Sequence, residues 1–136
     1  MIKWSGHLLL WLGTVHLVLT LALTAPTHAA DWLSGAAWGL NGSLSELPAV
    51  EGAFWVTVGS FGAPLVLCGA LVLWLDRRGL TPPTFLGWGL LAWSLAGGAL
   101  FEPAPWIALC IAAGLLTAGV RRAGRERPEP APQLSA

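Results

Sequence analysis

Apolar residues along this chain gather into four runs, each bounded by proline or by charge. The first covers about 5–25 and stops before Pro26; the second, about 53–75, ends against Asp76-Arg77-Arg78. The third, about 84–101, follows Pro82-Pro83, and the fourth, about 104–120, ends at an arginine cluster. A bilayer core offers the backbone no hydrogen-bonding partner, so runs of this length are predicted to be helices. The last two hold about 17–18 residues and reach about 26 Å at the helical rise, short enough for flanking arginines to snorkel. The pattern predicts an all-α, polytopic membrane protein: a four-transmembrane-helix bundle within residues 1–122.

Two segments fall outside the runs. The connection 26–52 is long for a bundle linker, and such length usually carries structure or function. Within it Asp31 is expected to cap a short helix bearing Trp32, Leu33, Ala36, Ala37 and Leu40, stopped by Asn41-Gly42 and lying in the outer interface. Residues 123–136, rich in proline and charge, are expected to form a disordered cytoplasmic tail.

Composition strengthens the membrane reading. Hydrophobic residues make up 55% and charged residues 10%, and mean hydropathy is +0.67. That leaves too little charge to cover a soluble surface. The seven basic residues are segregated: Lys3 precedes the first run, Arg77 and Arg78 separate the second from the third, and Arg121, Arg122, Arg125 and Arg127 follow the fourth. The other two connections carry only acids, Asp31, Glu46, Glu51 and Glu102. Basic residues stay on the cytoplasmic side. The expectation is a multi-pass protein of the bacterial inner membrane with both termini in the cytoplasm. Few basic residues, all beside apolar runs, make no nucleic-acid footprint. Seven of the nine tryptophans fall near the ends of the runs, where indoles anchor at an interface. Lys3, the apolar stretch from Leu8 to Leu23 and Thr27-His28-Ala29 share the layout of a secretory leader, but the run is long and interrupted by His16, so a retained span is expected. Cys68 and Cys110 lie within the runs and read as small packing residues rather than a disulfide framework.

Candidate chemistry centres on His16, near the middle of the first run, because an ionisable group at that depth usually faces the bundle interior. Counting the helical rise inward from the outer boundary places His16, Thr57, Ser60 and Ser94 at one level, with Trp93 adjacent. Glu51 and Glu102 fall at the rim, and Asp31 and His28 in the loop above. Such a layer, His16, Thr57, Ser60, Trp93, Ser94 and Glu102, is the expected ligand site: a polar head meets imidazole and hydroxyls while apolar walls take a tail. Its bland counterpart is an imidazole bonded to a neighbouring helix, with hydroxyls bonded to their own i−4 carbonyls. His7 lies nine residues before His16, on the opposite side of the helix, so the two cannot chelate one metal. The chain has no phosphate loop, no Cys-x-x-Cys, no His-x-x-x-His and no nucleophile elbow. No metal and no cofactor is expected, and no catalytic residue is assigned.

Several stretches resemble one another's counterparts in a known group: Ile2-Lys3-Trp4-Ser5-Gly6-His7 with Gly13-x-x-His16, Phe54-Trp55-x-x-x-Gly59-Ser60-Phe61-Gly62, Leu75-Asp76-Arg77-Arg78-Gly79, and Glu102-Pro103-x-Pro105-Trp106. Over residues 2 to about 122 the chain resembles a family of small four-span bacterial membrane proteins of unknown function, of actinobacterial type. The resemblance implies the fold and no activity. Small multidrug exporters also have four spans, but they depend on a carboxylate in the first, where this chain has His16 and no acid. The leading expectation is a non-enzymatic inner-membrane protein, in contact with the lipid bilayer, that binds a small hydrophobic or lipid-like molecule or supports another membrane protein or a second copy of itself. The alternative is a small membrane enzyme acting on a lipid, quinone or isoprenoid, with His16 as acid/base. A small transporter ranks third.

Overall fold

A computed structural model of the chain describes residues 1–35, 48–100 and 104–126. Among these residues five helices and no strand occur, so the described part is all-helical: α1 (Ile2–Leu33), α2 (Ala49–Val56), α3 (Gly62–Arg77), α4 (Thr84–Leu100) and α5 (Ala104–Arg125). By length and composition α1 and α5 are each able to cross a membrane, and α4 is a shorter apolar helix.

Two elements differ from the sequence expectation. First, α1 does not stop before Pro26 but continues through it to Leu33. Proline forfeits one backbone bond, and the alanines that follow it favour resumption of the helix. Gly35 ends α1 instead, at φ 84°, in the left-handed conformation that a helix C-terminus commonly uses. Asp31, Trp32 and Leu33 therefore form the last turn of α1 rather than the start of a separate interfacial helix, and the rest of that expected helix falls among residues 36–47, outside those described. Second, the run 53–75 is divided between α2 and α3, with non-helical backbone between Val56 and Gly62. Residues 123–125 of the expected disordered tail are helical, the last of α5; residues 127–136 lie outside those described.

The chain forms two compact units, one of Met1–Gly6 with Leu71–Ala136 and one of His7–Ala70. In the first, α4 and α5 run antiparallel. A Cβ on Gly87 would sit 2.5 Å from Thr117 Oγ1 and 3.1 Å from its backbone nitrogen, while one on Gly97 would enter the Trp106 ring. Numbers rise on one helix as they fall on the other. These glycines let the two backbones approach closely. On α5 the buried side chains Leu109, Ala112, Ala113, Leu116, Thr117 and Val120 recur at three- and four-residue spacing, one helical face. Leu116 and Val120 meet Val72, with Ile2, Leu86 and Leu90 packed around them. The first turn of α1 docks here too: Ser5 Oγ donates to the Ala112 carbonyl at 2.8 Å, and Gly119 gives way to Ile2. Gly79, at φ 67°, closes α3, with Leu80 N–H on Leu75 O at 2.9 Å and Gly79 N–H on Asp76 O at 3.1 Å. That pair of bonds is a Schellman ending.

In the second unit α1 runs against α3. A Cβ on Gly13 would lie 2.6 Å from the Gly62 carbonyl oxygen and 2.8 Å from Val66 N. Farther along α1, Trp32 Nε1 donates to Val50 O at 3.0 Å, and its ring meets Phe54 edge-on at 6.4 Å. His28 stacks on Trp32 at 6.3 Å. An aromatic cluster thus ties the end of α1 to α2.

Candidate functional site

The division between α2 and α3 originates in the segment Thr57-Val58-Gly59-Ser60-Phe61. β-Branched residues followed by glycine are weak helix formers. Thr57 Oγ1 donates back to Ala53 O at 2.7 Å and approaches Phe54 O at 3.1 Å. The Phe54 carbonyl also accepts from Thr57 N–H at 3.1 Å and Gly59 N–H at 3.0 Å. Gly59 is required there, because a Cβ would strike the Trp55 ring at 2.7 Å. Ser60 opens the next helix, its Oγ accepting from Gly62 N–H at 3.2 Å, as a serine does at a helix N-terminus.

Since Ser60 N–H turns to Thr57 O at 3.1 Å, the Val56 carbonyl lacks the donor that a continuous helix would give it. His16 supplies one from α1. Its Nε2 lies 3.2 Å from Val56 O and 3.0 Å from Ser60 Oγ, with Phe61 against the ring at a centroid distance of 4.4 Å. A carbonyl oxygen only accepts, so the bond to Val56 O needs the proton on Nε2. In the other neutral tautomer, Nε2 would instead accept the Ser60 hydroxyl proton. Either way the imidazole links α1 to the interruption of backbone hydrogen bonding between α2 and α3.

The second feature is a groove along α4 and α5. Ser94, Leu95, Gly98, Trp106, Ile107, Cys110 and Ile111 line an apolar cleft of about 430 Å³. Beside it Leu91, Gly114, Thr117, Ala118, Arg121, Arg122 and Arg125 line one of about 600 Å³. Leu91 stands one turn from Ser94 and Leu95, and Gly114 one turn from Cys110 and Ile111, so the two clefts follow one another along the same helix pair. The Arg121 guanidinium lies over the Trp88 ring at 5.4 Å. Arg122 Nε donates to Glu126 Oε1 at 2.9 Å across an exposed turn.

Of the residues expected to form one polar layer, His16 and Ser60 meet directly. Thr57 is buried with its hydroxyl committed to its own helix. Ser94 is buried too, and its Oγ donates to Leu90 O at 2.6 Å. Trp93 and Ser94 belong to the unit containing α4 and α5, where the Trp93 ring meets Trp106 edge-on at 5.1 Å. Glu102 lies outside the described residues. Glu51, expected at the rim, is 3% exposed in the first turn of α2. Sequence reasoning missed the groove, although its signal is present: Ile107, Ile111, Gly114, Ala118, Arg121 and Arg125 recur at alternating four- and three-residue intervals, a single stripe. Both cysteines are half-buried free thiols. Among the described residues no three His, Cys, Asp or Glu side chains gather as a metal site.

A family model described as a family of unknown function, DUF6463, matches residues 1–123. No curated protein and no solved structure matches the chain.

Proposed function

The chain belongs to the DUF6463 family, and we propose that it is a four-span integral membrane protein that holds a small hydrophobic or lipid-like molecule in the α4–α5 groove. The crossings are α1, α2 together with α3, α4, and α5, with both termini on the cytoplasmic side. Large apolar side chains facing outward support this: Trp11, Val18 and Leu23 are 61%, 63% and 71% exposed along α1. The apolar stretch of α1 is only 11% buried, unlike the core helix of a soluble protein. Exposed apolar surface on this scale needs lipid or a partner against it. The segregated arginines supply the orientation. Cysteines introduced singly at Ala123 and at Ser45, in a background lacking Cys68 and Cys110, test it in intact cells. An impermeant maleimide should label only the latter, and the reverse pattern would refute the topology.

The observation that carries the ligand reading is the apolar cleft between α4 and α5. Its volume, about 430 Å³, falls in the range of small-molecule sites, and its walls are apolar with a few polar groups. The test is mass spectrometry of organic extracts from gently purified protein, wild type beside Ile111→Trp. Ile111 is exposed, so the larger ring fills the cleft without entering the core. A stoichiometric molecule present in the wild type and lost in the variant is expected. No molecule in either would remove the reading and direct attention to a membrane-protein partner.

The His16–Ser60 contact of 3.0 Å favours a second reading, a small membrane enzyme in which His16 serves as acid/base. Turnover of an added lipid, quinone or isoprenoid that His16→Leu abolishes while folding is retained would support it. Unchanged turnover would sink it.

A further inference from the structure

We propose that the occupant of the groove is one anionic phospholipid, its phosphate held between Arg121 and Arg125 and an acyl chain laid along Leu91, Leu95 and Ile111. This rests on the preceding reading that the groove holds a lipid-like molecule, and it assigns that molecule a headgroup charge and a direction.

Three observations converge. The groove changes character along its length, from the apolar walls around Ser94 and Ile107 to three arginines at the other end. A phospholipid has that same polarity in one molecule, and a basic pocket between membrane helices is a common seat for a phosphorylated headgroup. The dimension also fits: Ile107 to Arg121 is fourteen positions on one helix, about 21 Å at the helical rise, enough for an acyl chain to lie beside. The floor between the two ends is open, since a Cβ on Gly114 would meet no heavy atom within 4 Å.

The arginines are not equivalent. Arg122 is turned to the Glu126 carboxylate. Arg121 rests on Trp88, which fixes the plane of its guanidinium while leaving its N–H edge to donate. Arg125 follows one turn later on the same face. Two cations four residues apart repel each other, and an anion between them relieves that repulsion. A guanidinium fork suits phosphate oxygens better than an ammonium does.

Native mass spectrometry of the full-length protein, loaded with equimolar phosphatidylglycerol and phosphatidylcholine of identical chains, tests the assignment. Wild type should retain phosphatidylglycerol preferentially. The R121Q/R125Q variant should still carry lipid but lose the preference by about fivefold for each arginine removed. The conservative R121K/R125K pair, which keeps charge and topology signals, should lose part of it. R77Q/R78Q, which removes equal charge elsewhere, should lose none. Equal retention of the two lipids by wild type overturns the proposal, as does an equal loss in R77Q/R78Q. Displacement of the lipid by millimolar inorganic phosphate also overturns it, by assigning the site to the free anion. If Ile111→Trp strips lipid while R121Q/R125Q keeps the wild-type preference, the headgroup assignment falls and the groove reading stands. If Ile111→Trp retains lipid fully, the groove reading itself falls.

Discussion

Replacing His16 with leucine removes a side chain that bridges α1 to the interruption between α2 and α3 through the Val56 carbonyl. The structure fixes the terms of the loss. Val56 O, 3.2 Å from Nε2 at an exposed position, loses that partner, and a hydrogen bond of this kind contributes about 0.5–1.5 kcal/mol net. The ring contact with Phe61 at 4.4 Å adds about 0.5–1.5 kcal/mol, and leucine recovers part of this through its own apolar contacts. A net destabilisation of about 1 kcal/mol follows. Reversible unfolding in mixed micelles, followed by tryptophan fluorescence, measures it. The sharper readout is a double-mutant cycle with Ser60→Ala, since two groups 3.0 Å apart should show a coupling of about 0.5–3 kcal/mol. A His16→Leu stability within about 0.5 kcal/mol of wild type, or strict additivity in the cycle, would refute the bridging role.

The two ends of glycine usage on α4 and α5 make a matched pair: Gly87→Val should separate the helices and cost about 2–4 kcal/mol, whereas Gly114→Ala, facing open space, should be neutral or stabilising by about 0.5–1 kcal/mol; both are read in the same unfolding assay. Ser5→Ala removes the buried donor to the Ala112 carbonyl and should cost about 1–2 kcal/mol, whereas Ser34→Ala, at an exposed bond, should stay within about 0.5 kcal/mol. At Gly79, φ 67° penalises any Cβ, so Gly79→Ala should lower stability by about 1 kcal/mol although no atom lies near it; an unchanged midpoint would show that the turn relaxes.

Hydrophobic patterning made some elements legible and hid others for identifiable reasons. The apolar run of α4 begins after Pro82-Pro83 and that of α5 ends at the arginine cluster, where helix chemistry changes abruptly. The interruption at 57–61 was invisible to patterning because Thr57, Val58 and Gly59 add no charge; the informative signal was weak helix propensity followed by Gly-Ser. Pro26 misled in the opposite sense. Its one missing bond matters less than the contacts of Trp32 with Val50 and Phe54, which hold the continued helix in place. Depth counting brought His16 and Ser60 to one level, but depth does not say where a hydroxyl points, and Thr57 and Ser94 turn to their own backbones. The arginines after Val120 read mostly as orientation signals, with contact to anionic lipid a minor role, and the sequence does not show their position at the end of a groove.

The bond from Ser5 to Ala112 joins residues 107 positions apart, so the order of synthesis becomes part of the folding problem. The first turn of α1 is synthesised well before its seat on α5. Until α5 is in place, Ile2 and Ser5 have no partner there, and closing so long a chain costs entropy that no local contact repays. This contact therefore forms only after α5 has been made. A bulky extension fused ahead of Met1 should slow that step, while the same extension after Ala136 should not.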